Sequence, residues 1–154
     1  MSGMGRRDFV ALLGGAAAGW PLAARGQQLT RRIGMLIGYA ENDPEIQARL
    51  AAFRQVREGN GGKEGGSVRI DYRFAPASPD RARAYAKELV GLQPDVLVGN
   101  STPATAALLH ETRTIPIVFV GVSDPVGSHF VSSIARPGGI TTGFTNFAPS
   151  MVGK

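Results

Sequence analysis

The 154-residue sequence contains no cysteine and only two histidines, His110 and His129. The absence of cysteine excludes disulfides, thiolate nucleophiles and cysteine-based metal sites from this chain. Two histidines are too few for a histidine-rich metal centre. The sequence therefore predicts neither a metal nor a cofactor.

Charged and aromatic residues are also sparse, at 19% and 7% of the chain. The net charge of +5 is spread along the sequence and includes no basic run. Because nucleic acid-binding proteins concentrate basic residues on one face, nucleic acid is not an expected partner. The apolar stretch from Phe9 to Ala24 is too short and too rich in glycine and alanine to cross a membrane.

The first 26 residues have the features of an export signal. Arg6-Arg7, followed by Asp8-Phe9-Val10, precedes the apolar stretch, and Ala24-Arg25-Gly26 places small residues where a signal peptidase cuts. We expect a twin-arginine (Tat) signal peptide over residues 1–26, cleavage after Gly26, and a periplasmic mature chain. The alternative is an uncleaved N-terminal anchor.

Beyond residue 26, short apolar runs alternate with segments of helical periodicity. Each helical segment begins with a capping residue followed by proline, a typical helix start. This alternation predicts a doubly wound parallel α/β sheet with about five strands and as many helices. The expected strands are 33–38, 68–74, 96–98, 115–121 and 140–144, and the helices start at Pro44, Pro79, Pro103 and Pro125.

Polar side chains follow the predicted strands, at the end where such sheets bind ligands. The candidate ligand-binding residues are Tyr39, Asn100, Ser101, Thr102, Ser123, Asp124 and Asn146. Five of the seven have a simpler structural explanation: Thr102 and Asp124 could cap helices, Ser101 and Asn146 could be turn residues, and Tyr39 could be an exposed loop residue. An enzyme is not predicted, because His110 and His129 fall in expected helices with no nucleophile beside them.

The glycine-dense stretch at residues 59–66 is read as a flexible loop. It follows a helix and precedes a strand, which is the reverse of the order in a phosphate-binding loop.

Short motifs along the chain form a recognisable set. They are Arg6-Arg7-Asp8-Phe9, Leu13-Gly14-Gly15-Ala16-Ala17-Ala18, Pro21-Leu22-Ala23-Ala24, Ala52-Phe53-Arg54-Gln55, Val68-Arg69-Ile70-Asp71-Tyr72-Arg73, Ser101-Thr102-Pro103-Ala104, Ile115-Pro116-Ile117-Val118-Phe119-Val120, Asp124-Pro125-Val126-Gly127 and Arg136-Pro137-Gly138-Gly139. Together they resemble one known family, the substrate-binding proteins of ABC transporters, in the branch similar to tryptophan- and aromatic amino acid-binding members.

The resemblance implies a type I periplasmic-binding-protein-like fold, with two α/β lobes that close on a small ligand. Residues 27–145 would form the first lobe, and residues 146–154 the crossover into a second lobe that this chain lacks. It also implies an ABC permease partner and an amino acid-like ligand. The ligand carboxylate would bind at Ser101-Thr102, and Asp124 could accept its ammonium group.

Two alternatives to this functional interpretation remain open at this point. The chain could be a truncated, non-functional remnant of such a protein, or a flavodoxin-like regulatory domain.

Overall fold

Five parallel strands form one sheet in the order β2-β1-β3-β4-β5. The computed structural model describes residues 30–60 and 67–146. The predicted export signal, residues 61–66 of the predicted 59–66 loop and residues 147–154 of the predicted 146–154 crossover lie outside these residues. Gly59 is the last residue of a helix and not part of a loop. The strands are β1 (Arg31–Ile37), β2 (Val68–Phe74), β3 (Val96–Asn100), β4 (Ile117–Val122) and β5 (Thr141–Thr145), and the helices are α1 (Pro44–Gly59), α2 (Pro79–Gly91) and α3 (Thr102–Glu111).

Helices pack on both faces of this sheet, which confirms the doubly wound α/β prediction. On one face, the α1 face, Ile46 and Leu50 of α1 pack with Met35, Ile37 and Ile70. On the other, the α2–α3 face, a larger core contains Leu36, Leu89, Leu97, Leu108 and Ile117, all fully buried. The near-continuous apolar runs of β1, β3 and β4 follow from this double coverage.

The cap-and-proline starts of the first two helices are confirmed. The Asp43 carboxylate accepts hydrogen bonds from the amides of Glu45 and Ile46 at the start of α1. The Ser78 hydroxyl accepts one from the Arg81 amide at the start of α2. These side chains satisfy amide groups that have no partner within the helix.

The helix expected after Pro125 does not form, and residues 125–129 make a turn instead. The Asp124 carboxylate accepts a hydrogen bond from the Gly127 amide at 2.7 Å, and His129 has a positive φ of 58°. Its backbone bonds do not repeat at helical spacing: the amide of Ser128 donates to the Asp124 carbonyl, that of His129 to Val126 and that of Phe130 to Pro125. Gly127 and Ser128 favour a turn here, since both are poor helix formers.

Part of the α1 face is not covered by any of the described residues. The connections after β2, β3 and β4 all move across the sheet in one direction, so right-handed crossovers place them on the α2–α3 face. Only the β1-to-β2 connection runs the other way, and its helix α1 covers the β1–β2 side. Over β3, β4 and β5, the apolar side chains of Val98, Val118, Val120 and Phe144 line an open cavity of about 470 Å³.

No helix within the described ranges is long and apolar enough to cross a membrane.

Candidate ligand-binding site

The carboxyl ends of β1 and β3 lie side by side at the point where the strand order reverses. The connection after β1 leads to β2 on one side, and the connection after β3 leads to β4 on the opposite side. The Gly38 amide joins the two ends by donating to the Asn100 carbonyl at 3.0 Å. Doubly wound sheets bind ligands at such a switch point, because the diverging connections leave a crevice there.

Ser101 occupies an unusual backbone conformation at this crevice, with φ 108° and ψ 160°. Residues other than glycine rarely adopt this combination of φ and ψ. Ser101 is nevertheless nearly buried and is the N-cap of α3, where its Oγ accepts from the Ala104 amide at 3.4 Å. The expectation that Thr102 caps this helix is therefore wrong, and Thr102 is the first helical residue.

The start of α3 presents one free amide group. Pro103 has no N–H, and the amides of Ala104 and Thr105 donate to Ser101. The Thr102 amide has no partner in the part of the chain that the structure describes. A free amide at the positive end of a helix dipole favours an anionic group.

Asn100 and Asn146 line the same cavity, on the α1 face of the switch point. Asn146 lies beside Gly121, where a β carbon would be 3.5 Å from the Asn146 Nδ2, an ordinary contact. The positive φ of 70° at Gly121, rather than a lack of space, is what favours glycine there. Each amide side chain can donate and accept hydrogen bonds. The remaining lining is largely apolar and includes Phe53 and Phe144.

Ser123 and Asp124 are exposed at the end of β4. The Asp124 Oδ1 already accepts from the Gly127 amide, so this carboxylate stabilises its own turn. A carboxylate has about four acceptor positions in all, and further hydrogen bonds remain possible. Tyr39 follows Gly38 directly and is 39% exposed.

The structure thus places all seven predicted residues at the carboxyl ends of the strands, in separate groups. Ser101 and Thr102 lie at the start of α3, Asn100 and Asn146 share the cavity on the α1 face, and Tyr39, Ser123 and Asp124 lie on exposed loops. None of the last three lines the cavity that Asn100 and Asn146 share.

The structure adds two residues that the sequence did not single out, Gly38 and Thr105. Gly38 lies against the Ser101 side chain, and the buried Thr105 hydroxyl bonds to the carbonyl of Ser101. The position of Gly38 at a predicted strand end is a signal in the sequence, but its contact with Ser101, 63 positions later, is not. Nothing in the sequence distinguishes Thr105 from any other threonine inside a helix.

Neither histidine belongs to this edge. His110 is exposed near the end of α3 with Nδ1 3.0 Å from the Glu111 carboxylate, and His129 is exposed in a turn rather than in the expected helix. Within residues 30–60 and 67–146, no three acidic or histidine side chains are grouped so as to hold a metal ion.

An all-parallel sheet wound on both faces, with polar groups and a free helix amide at its switch point, defines an α/β ligand-binding domain. The strand order is shared with flavodoxin-like proteins, so topology alone does not decide the family. The family model for ABC transporter substrate binding proteins matches residues 43–151, well over half of the chain. The chain belongs to this family.

Individual relatives agree with this assignment. A tyrosine-binding protein of Clostridioides difficile is 29% identical over 104 residues, which are 68% of this chain and 30% of that protein. A solved conserved domain protein from Vibrio cholerae has a TM-score of 0.72 at 35% identity, over 78% of this chain and 40% of the other. An ABC domain in complex with L-Trp from Streptococcus pneumonia has a TM-score of 0.69 at 26% identity, over 75% and 38%.

The chain therefore spans about 30–40% of the length of the proteins it matches. The matched family is one of substrate binding proteins, and one of the relatives is named for binding tyrosine. The family generally acts outside the cytoplasm. The comparisons favour the substrate-binding interpretation over a remnant or a flavodoxin-like regulator.

Proposed function

We propose that this chain forms one lobe of an amino acid-binding protein that delivers its ligand to an ABC importer. The observation that carries the proposal is the Thr102 amide at the switch point, which has no partner among the described residues and lies beside the Ser101 hydroxyl. A helix N-terminus of this kind suits a carboxylate, which every amino acid has. The relatives named for binding tyrosine and found with L-Trp support an amino acid with an aromatic side chain.

In this proposal the ligand carboxylate accepts hydrogen bonds from the Thr102 amide and the Ser101 hydroxyl. Asp124 accepts the ligand ammonium, in addition to its bond from the Gly127 amide. Asn100, Ser123 and Asn146 supply further polar contacts, and Tyr39 stacks on the ligand ring. The exposure of Tyr39, Ser123 and Asp124 is consistent with groups that face a cleft.

The proposal also covers the location of the protein and a second half of the cleft. Residues 1–26 direct export by the twin-arginine route and are removed after Gly26, and the mature protein works in the periplasm with an ABC permease. Residues 27–145 form the first lobe, and residues 146–154 begin the crossover to a second. A substrate-binding protein needs such a second lobe to close over its ligand.

The proposal can be tested on the chain by nuclear magnetic resonance, which detects the weak binding expected of one lobe. A ¹⁵N-labelled sample is titrated with L-tryptophan, L-tyrosine, L-phenylalanine and L-leucine. We expect the amide signals of Asn100 and Thr102 to shift on addition of at least one of these amino acids. Tryptamine, which lacks the carboxylate, should cause no shift of the Thr102 amide.

A matched pair of serine variants locates the site. Ser101→Ala removes the hydroxyl proposed to face the ligand, whereas Ser133→Ala removes one that bonds to Arg136 in an exposed turn. The first should weaken binding and the second should leave it unchanged. A folded wild-type chain whose strand-end amides respond to none of the amino acids would refute the amino acid assignment.

A further inference from the structure

Thr105 places a hydroxyl in the interior of the domain, directly behind the proposed carboxylate site. The residue is fully buried, one turn into α3. Its Oγ1 lies 2.8 Å from the Ser101 carbonyl oxygen and 3.3 Å from that of Gly99. A hydroxyl donates one hydrogen, so the shorter contact identifies the Ser101 carbonyl as its main acceptor.

The end of β3 is shaped to admit this hydroxyl. A β carbon on Gly99 would lie 2.6 Å from the Thr105 Oγ1 and 2.9 Å from the Thr105 Cα. The first turn of α3 therefore packs against the backbone of the strand that leads into it. Only glycine at position 99 permits this approach, because any side chain there would displace the helix.

Ser101 lies between these two elements in a backbone conformation that is used almost only by glycine. Such a conformation persists where the surroundings hold it. The Ser101 amide donates to the Val120 carbonyl at 3.0 Å, and its carbonyl accepts from both the amide and the hydroxyl of Thr105. Of these three contacts, two are made by backbone amides and one by the Thr105 hydroxyl, so a substitution of the Thr105 side chain can remove the last.

We propose that Thr105 is a positioning residue, which holds Ser101 in this conformation and so directs the Ser101 hydroxyl and the Thr102 amide toward the ligand. The ligand part of this inference rests on the function proposed above. Thr105 does not contact the ligand and acts through the Ser101 carbonyl. The competing explanation is that the hydroxyl donates to the helix backbone only because it is buried and needs an acceptor, as is common for threonines inside helices.

Two substitutions separate the hydroxyl from the methyl group of Thr105. Thr105→Val keeps the volume and removes the hydroxyl, whereas Thr105→Ser keeps the hydroxyl and removes the methyl. In the ligand-free protein, the three-bond coupling between the amide and α protons of Ser101 reports its φ, and it rises if φ relaxes from 108° to an extended negative value.

We expect Thr105→Val to raise this coupling and to weaken amino acid binding by about tenfold or more, as when a charge-assisted hydrogen bond is misaligned. Thr105→Ser should keep the wild-type coupling and affinity. Its melting temperature should be below that of the wild type, because a buried methyl group is lost. Thr105→Ser would then lose stability without a change in the site geometry, whereas Thr105→Val would change the geometry. Wild-type coupling in Thr105→Val, or equal losses of affinity in both variants, would overturn the proposal.

A third variant keeps the test decisive if Thr105→Val does not fold. Ser101→Gly removes the need to hold an unfavourable conformation, so Ser101→Gly/Thr105→Val should fold and resemble Ser101→Gly alone. Failure of the double variant to fold would show that the hydroxyl serves the core rather than the turn. If the wild-type chain binds no amino acid, the functional proposal fails, and the ligand-free coupling still decides the role of Thr105.

Discussion

Gly38 lies directly against Ser101, with no room for a β carbon between them. The same glycine donates its amide to the carbonyl of Asn100, the residue before Ser101. The end of β1 is thus packed onto the turn between β3 and α3. The shape of the proposed carboxylate site depends on two residues that are far apart in the sequence.

We expect Gly38→Ala to destabilise the protein and to disturb this turn. The new methyl group would overlap the Ser101 hydroxyl and lie about 3.0 Å from the Ser101 Cβ. Overpacking of this kind typically costs about 1–3 kcal/mol. The free energy of unfolding from urea denaturation measures the first effect, and the amide signals of Ser101 and Thr102 report the second.

Gly91→Ala is the matched control. Gly91 ends α2, and a β carbon there would meet nothing within 4 Å. Alanine is the better helix former by up to about 1 kcal/mol, so this variant should be as stable as the wild type or more stable. If Gly38→Ala behaves like Gly91→Ala, then Gly38 and Ser101 are not in close contact.

A pH-dependent contribution to stability is expected from Asp71 on β2. The Arg32 side chain donates to its carboxylate at 2.7 Å and is the main cause that lowers the pKa of Asp71, with a smaller contribution from Arg69. A carboxylate whose pKa is lower in the folded state stabilises the fold above its unfolded pKa of about 3.9. This stabilisation disappears as the pH falls through the folded pKa.

Asp71→Asn should therefore lower the melting temperature most at neutral pH, and the difference from wild type should shrink below about pH 4. The control is Asp80→Asn, because the Asp80 side chain is 97% exposed and its ion pair with Arg83 has little effect. A difference between wild type and Asp71→Asn that stays constant from pH 7 to pH 3 would contradict the prediction.

The core prediction concerns Leu97, in the central region of the sheet. Leu97 is fully buried on the α2–α3 face, where it packs with Leu36 and Leu89. Leu97→Ala should cost about 2–5 kcal/mol of unfolding free energy, because a cavity replaces the lost side chain. Val56→Ala, at a 65% exposed position of α1, should change it by less than about 0.5 kcal/mol.

Much of the fold could be predicted from the sequence because the signals are local. Three of the strands, β1, β3 and β4, contain apolar runs, and two of the helix starts have the expected cap before proline. The segment after Asp124 misled the prediction because it carries the same aspartate-proline start. Its following residues, Gly127 and Ser128, favour a turn, so a cap signal without helix formers behind it does not produce a helix.

The site was predictable only as a set of strand ends. The sequence indicates that Asn100, Ser101 and Asn146 lie at one edge, because parallel strands end together. It does not show that Ser101 rather than Thr102 caps α3, since both can cap. The contacts of Gly38 and Thr105 with Ser101 depend on strand register and helix approach, which no local pattern encodes.

The part of the α1 face that residues 30–60 and 67–146 leave open leads to the last prediction. Phe144 is 72% exposed and lines the cavity over β3, β4 and β5 together with Val98, Val118 and Val120. Exposed apolar surfaces of this kind bind the dye 8-anilinonaphthalene-1-sulfonate and promote self-association. Phe144→Ser should lower both dye fluorescence and the fraction of oligomer seen by light scattering. Val56→Ser removes a side chain of similar exposure that lies outside this cavity, so equal effects of the two variants would show that the cavity is not the binding surface.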